Sequence, residues 1–220
     1  LQEDSERRDF TINALYFKIL THELLDPTGG IQDIEKKIIR AIGNPAQRFE
    51  EDHLRILRAI RFASQLGFNI ETNTWNALCE KAPLLSKVSV ERVSVEIQKI
   101  ANSAGVVSGI KMMIDSGVFS ALFPELKISG SEKQRSQSYE FLFRLPGSSN
   151  FVWLALILPW IIELSEDELL LFMKERRFSK VNQQSLKHLM KIFKGSALGN
   201  LSFGAQAIET LEGLPSDLLQ

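Results

Sequence analysis

Asp52 and Arg55 stand three residues apart in the stretch Arg48 to Phe68, RFEEDHLRILRAIRFASQLGF, an acid and a base where a helix would hide them. At about 100° per residue, Ile56, Ala59, Ile60, Ala63 and Leu66 fall on one apolar arc. Asp52 lies within that arc and Arg55 on its edge, while Arg58 and Arg61 continue along the flank. Unpaired charge is costly to bury. Two readings follow. The two form an intrahelical ion pair that supports the helix by a few tenths of a kcal/mol, or they are kept to recognise something polar, the carboxylate accepting and the guanidinium donating hydrogen bonds.

One helix over 48–68 is expected to position them. Glu50, Glu51 and Asp52 would sit in its first turn, where the helix dipole favours acids, and Gly67 would end it. Upstream, residues 1–45 read as a mixed α/β unit. Asp9 caps a short helix through Ala14, and strands run over Leu15–Leu20 and from Leu24 to Asp26-Pro27, around a polar turn at His22-Glu23. Gly29-Gly30 precedes a helix over about 31–37, and Ile38–Ile42 is a short apolar strand. Downstream, helices are expected over Thr72–Lys81, Val90–Ala101 (N-capped by Ser89) and Val106–Leu122. A polar loop follows over 130–137, then helices over 139–145, 151–164, 166–174 (capped by Ser165), 180–194 and 201–219.

Composition narrows the function classes. The 220 residues are 44% hydrophobic with net charge −1, enough for a buried core and mostly helical in pattern. The single cysteine, Cys79, excludes an internal disulfide framework and fits a reducing cytoplasm. The most apolar run, Phe151 to Ile162, contains Pro159 and is too short for a membrane span. Near-neutral charge does not announce nucleic-acid binding, yet cations gather locally. Lys36, Lys37, Arg40, Arg48, Arg55, Arg58 and Arg61 form one group; Lys174, Arg176, Arg177 and Lys180, then Lys187, His188, Lys191 and Lys194, form another. Trp153, Trp160, Phe172 and Phe193 are expected in the core rather than as base-stacking platforms.

The string EDHLRILRAIRFASQLGF resembles the EDxxR helix of the class II nucleotidyltransferases, the family of tRNA CCA-adding enzymes and bacterial poly(A) polymerases. Two further family motifs stand upstream in order: Arg7-Arg8-Asp9-Phe10-Thr11-Ile12-Asn13-Ala14-Leu15, and Asp26-Pro27-Thr28-Gly29-Gly30 with Asp33, which looks like the family's flexible linker. A fainter one, Glu91-Arg92-Val93 with Glu96, follows and could brace the Asp52/Arg55 helix. Ser116 to Leu126 is similar to the segment where the family's neck passes into its helical body.

The resemblance implies a mainly α chain: the C-terminal remnant of an α/β nucleotidyltransferase head (1–45), a helical neck that selects the base (46–103) and a helical, RNA-binding body (104–220). It implies transfer of CMP or AMP from CTP or ATP to an RNA 3′ end, with two Mg²⁺ ions stabilising the attacking and leaving oxygens. The family's metal-binding Asp-x-Asp pair has no counterpart in this sequence, nor does a glycine-rich phosphate loop, and the three histidines lack metal-ligand spacing. The chain starts at Leu1 without an initiator Met. A fragment is therefore expected, inactive alone, with Mg²⁺ held by carboxylates outside it.

By resemblance Asp52 and Arg55 read the incoming base, while Arg8, Arg58 and Arg61 hold triphosphate and ribose; Asp9 and Asn13 rank second, and Thr11 is left to packing. The chemistry agrees. A carboxylate acceptor beside a guanidinium donor complements the amino group and ring-nitrogen acceptor shared by cytosine and adenine. Uracil and guanine reverse both groups. Addition of CCA or A to tRNA in the cytoplasm is the preferred reading, on the segment RAIGNPAQRFEED. The alternatives are a poly(A) polymerase and a non-catalytic RNA-binding scaffold.

Overall fold

The computed structural model describes residues 2–126, 164–175, 180, 183, 184 and 187. The chain divides into two compact units, Leu1–Phe123 and Pro124–Gln220.

The first unit opens with α1 (Gln2–Arg7), a helix not expected from the sequence, and a single 3-10 turn, Thr11–Asn13, where a longer helix was expected. β1 (Tyr16–Lys18) and β2 (Glu23–Leu25) form an antiparallel hairpin with Tyr16 opposite Leu25. The strand is shorter than Leu15–Leu20 because the chain turns away there. Leu20 is 98% exposed and His22 adopts φ 55°. α2 (Gly30–Glu35) follows, beginning one residue earlier than expected. β3 (Ile38–Ile39) pairs in parallel with β4 (Asn69–Ile70), and Ala41 forms an isolated antiparallel bridge with Phe10.

These small elements are held by side chains rather than by a large sheet. The Asp26 carboxylate accepts from the backbone N–H groups of Thr28 (3.3 Å), Gly30 (2.8 Å) and Ile31 (2.9 Å), which closes the Asp-Pro-Thr-Gly-Gly loop on itself. Gly30 lies so close to the Thr11 carbonyl that a Cβ would sit 2.3 Å from its oxygen. Thr11 Oγ1 donates to Asp33 Oδ2 at 2.7 Å, and Arg40 Nε reaches the same oxygen at 3.1 Å. The segment that resembles a flexible linker is thus pinned to Thr11.

The single helix expected over 48–68 is two helices. α3 (Pro45–Glu51) starts with Pro45 behind Asn44, whose Oδ1 accepts from Ala46 N (3.0 Å) and Gln47 N (3.2 Å). It ends at Asp52, in extended backbone at φ −145°, ψ 102°. α4 (Leu54–Leu66) begins immediately afterwards, with Asp52 Oδ1 accepting from Leu54 N at 3.2 Å. Glu50 and Glu51 therefore occupy the last turn of α3, not the first turn of a long helix. Leu66, expected on the apolar arc, is 47% exposed.

α4 is the central strut. Ile56, Leu57, Ala59 and Ile60 are fully buried, and burial of each large aliphatic side chain stabilises by about 1.5–3 kcal/mol. It packs on α6 (Val90–Ala101) and α7 (Val106–Asp115), while α3 packs on α5 (Thr72–Lys81). A 3-10 segment, Ala82–Lys87, joins α5 to α6. α5 and α6 have the expected bounds, though the Ser89 side chain makes no capping bond. The helix expected over Val106–Leu122 breaks at Gly117, which adopts φ 78°, and resumes as α8 (Val118–Leu122).

In the second unit, α9 (Glu166–Glu175) opens with a reciprocal cap: Ser165 N and Oγ donate to Glu168 Oε2 at 2.8 and 2.7 Å, and Glu168 N donates to Ser165 Oγ at 3.3 Å. Leu169, Phe172 and Met173 are buried. The loop expected over 130–137, the helices over 139–145, 151–164 and 201–219, and Trp153, Trp160 and Phe193 lie outside the described residues. Within 180–194, Lys180, Gln183, Gln184 and Lys187 are described as helical, and both lysines are exposed.

Candidate functional site

The break between α3 and α4 sets the geometry of the candidate residues. Asp52, freed from helical backbone, is half-buried, and both its carboxylate oxygens accept from Arg92 Nη2 on α6, at 3.2 and 3.0 Å. Arg55 does not pair with Asp52. Its Nη1 donates to Glu51 Oε2 (2.9 Å) and to the carbonyl of Arg48 (3.1 Å). The intrahelical Asp52–Arg55 ion pair is therefore absent, because the break redirects Asp52 toward α6 and leaves Glu51 one turn before Arg55. The Arg55 guanidinium holds the Glu51 carboxyl below the usual carboxylate range.

Arg58 points to the N-terminal segment. Its Nε and Nη2 lie 2.7 and 2.6 Å from Asp9 Oδ2, and Asp9 Oδ1 accepts from Asn13 Nδ2 (2.8 Å) and Phe10 N (3.0 Å). Asp9 is 8% exposed, so this carboxylate is a buried hub. Arg8 is exposed, with Nη2 3.1 Å from Asp4 Oδ2, an oxygen that also accepts from the Tyr16 hydroxyl at 2.8 Å. The Asp4 carboxyl is held low by the Tyr16 and Arg8 donors.

Arg61 has a different environment. It is 8% exposed, and its Nε lies 2.5 Å from Glu96 Oε2 on α6. Its guanidinium lies 3.7 Å from the Phe62 ring centre, the ring that Arg58 approaches at 5.6 Å. Glu96 is 3% exposed and also accepts from Lys99 Nζ at 3.0 Å. The bracing expected of the Glu91–Glu96 segment thus takes the form of Arg92 on Asp52 and Glu96 on Arg61.

The structure therefore gathers Arg8, Asp52, Arg55 and Arg58 around the meeting of α3, α4 and the Arg8–Asp9 segment, and engages Arg61 with α6. Arg48 at this junction stood in the sequence only as one cation among several. Thr11 forms the tie to Asp33 described above, where packing alone was expected. Among the described residues no group of three or more His, Cys, Asp or Glu could hold a metal ion. The described residues do not fit Mg²⁺.

Two family profiles match the chain: "Poly A polymerase head domain" over residues 1–40, and "Probable RNA and SrmB- binding site of polymerase A" over residues 67–128. They flank the α3–α4 break. The CCA-adding enzyme of Streptococcus mutans is 37% identical over 199 residues, 88% of this chain and 47% of the relative. That of Limosilactobacillus reuteri is 47% identical over 119 residues, 54% of this chain and 29% of the relative. The chain thus spans less than half the length of these relatives. The solved CCA-adding enzyme of Bacillus stearothermophilus in complex with CTP superposes with TM-score 0.60 at 26% identity, over 88% of this chain and 47% of that one. The Thermotoga maritima enzyme complexed with tRNA shares the fold, with TM-score 0.73 at 22% identity over 99% of this chain and 54% of that one. The chain belongs to the class II nucleotidyltransferase family that contains the CCA-adding enzymes.

Proposed function

We propose that this chain is the nucleotide-selecting and RNA-binding part of an enzyme that adds CMP and AMP, from CTP and ATP, to the 3′ end of tRNA in the cytoplasm. Asp52 and Arg55 read the base, and Arg8 and Arg58 hold the triphosphate and ribose. Arg61, buried against Glu96, serves the same site by anchoring α4 to α6. Residues 1–45, 46–103 and 104–220 act as the end of the head, the neck and the body. The Mg²⁺ ions belong to carboxylates other than those described above.

The observation that carries this reading is the helix break at Asp52. A carboxylate released from helical backbone, whose one side-chain partner among the described residues is Arg92, with the two side chains 54% and 34% exposed, can exchange that contact for a base amino group while Oδ1 keeps its cap on Leu54 N. Exposed ion pairs of this kind are worth about 0.2–1 kcal/mol, little enough for a ligand to replace. Arg55 Nε and Nη2 have no partner among the described residues and can donate to a ring nitrogen. The CCA-adding relatives support tRNA over a poly(A) substrate. The test is incorporation by the intact enzyme, with each of four triphosphates, on tRNA lacking its terminal CCA and on an unstructured RNA. CMP and AMP added to the tRNA alone is the expected result. AMP added equally to both RNAs would make it a poly(A) polymerase.

A further inference from the structure

Arg48 joins the two halves of this site. Its Nη2 donates to the Arg8 carbonyl at 2.5 Å, and its Nη1 pairs with Glu51. Its own carbonyl accepts from Arg55 Nη1 at 3.1 Å and from the Asp52 backbone N–H at 3.4 Å. The side chain is 12% exposed, and its Nε is buried with no hydrogen-bond partner. A guanidinium that leaves one donor unpaired while filling its other two contacts is oriented by those contacts.

We infer that Arg48 is a positioning residue that fixes the Arg8 segment against the Asp52–Arg55 break and keeps Glu51 from capturing Arg55. The inference rests on the base-reading role proposed for Asp52 and Arg55. Glu51 presents one carboxylate to two guanidinium groups, and both contacts use Oε2. With Arg48 in place, Arg55 holds Glu51 through a single N–H. Without Arg48, the Glu51 carboxylate keeps only the long Gln47 Nε2 contact at Oε1 (3.4 Å) besides Arg55, and can turn to take Arg55 as a two-point fork, the geometry that guanidinium and carboxylate favour. Arg55 would then be withdrawn from the base. The Arg8 carbonyl would lose its tether at the same time, so triphosphate affinity and base choice should fall together. Lysine cannot replace both contacts, since an ammonium is a point charge rather than a planar fork.

The experiment is single-nucleotide incorporation by the intact enzyme on tRNA lacking its terminal nucleotides, with kcat/KM measured for CTP and UTP. The ratio of the two values does not depend on the folded fraction of a preparation, so a merely structural strut leaves it unchanged. Arg48→Gln is expected to lower the CTP:UTP ratio about tenfold and to raise KM for CTP. Arg48→Lys, the variant more certain to fold, should recover part of KM and little of the ratio. Adding Glu51→Gln to Arg48→Gln should restore the ratio, because the capturing charge is gone. A ratio within about twofold of wild type in both Arg48 variants, while Asp52→Ala collapses it, would overturn the inference and leave the base-reading proposal standing. So would a ratio that stays low in the double variant. If Asp52→Ala also leaves the ratio unchanged, the base-reading proposal itself falls, and this inference with it.

Discussion

Asp9 and Arg58, 49 residues apart in sequence, meet through one carboxylate oxygen, with Arg58 Nε at 2.7 Å and Nη2 at 2.6 Å from Asp9 Oδ2. The contact fastens the N-terminal segment to α4 from the side opposite in sequence to the Arg48 tether. Asp9 is buried and already accepts from Phe10 N and Asn13 Nδ2, so its charge is organised by three residues at once.

Asp9→Ala removes all of these contacts and leaves Arg58 without its partner. The expected loss is about 1–3 kcal/mol in urea unfolding, with a smaller loss for Asp9→Asn, which keeps an acceptor. Equal stability of wild type and Asp9→Ala would mean that the hub contributes nothing.

Arg61 and Glu96 allow a sharper test of anchoring against ligand contact. Removing one member of a buried pair costs about 3–5 kcal/mol, because the other charge is left uncompensated. Glu96→Leu alone should therefore be strongly destabilised, and Arg61→Met/Glu96→Leu less so, as read by chemical denaturation. If the double variant is the worse of the two, the pair is a net source of stability. Were Arg61 a triphosphate contact instead, a stable double variant would show a raised KM for all four nucleotides.

The Asp26 loop predicts a pH dependence. Burial raises the Asp26 carboxyl, but the N–H groups of Ile31, Gly30, Thr28 and Gly29 outweigh it and bring the group below its ordinary 3.8. A carboxyl lowered on folding stabilises the fold above the unfolded value, and that contribution disappears as pH falls through the folded value. The stability gap between wild type and Asp26→Ala should be about 1–3 kcal/mol at neutral pH and shrink below about pH 4. A gap that is constant or widens on acidification would show that these backbone N–H groups do not select the ionised form.

How much of this was legible follows from how local each signal is. α5 and α6 could be read to the residue because their apolar periodicity runs unbroken between polar ends. The α3–α4 break could not, since residues 48–66 contain neither Gly nor Pro, and the apolar arc alone favours one helix. What breaks it is the Asp52 side chain capping Leu54 N, with Arg92 holding the carboxylate from 40 residues away. An Asp two residues before an apolar helix start was the available signal, and the acids around it masked it. Gly117 also signalled a break, overridden there by periodicity. The candidate residue types were visible because their motifs are strings. Their partners were not. Asp9 for Arg58, Glu96 for Arg61 and Arg92 for Asp52 are tertiary pairings across 35–49 residues, which no periodicity encodes.

Asp52 is proposed as the reader of the base. This role is tested most directly by single-nucleotide incorporation with CTP, ATP, UTP and GTP on tRNA lacking its CCA end, using folded Asp52→Ala and Asp52→Asn enzymes checked by melting. Asp52→Ala should reduce turnover with CTP and ATP and compress the preference for them, because the mismatched groups of uracil and guanine no longer face a carboxylate. Asp52→Asn, whose amide can donate where the carboxylate only accepted, should improve UTP relative to CTP. If both variants melt like wild type and keep the wild-type order of base preference, Asp52 does not read the base.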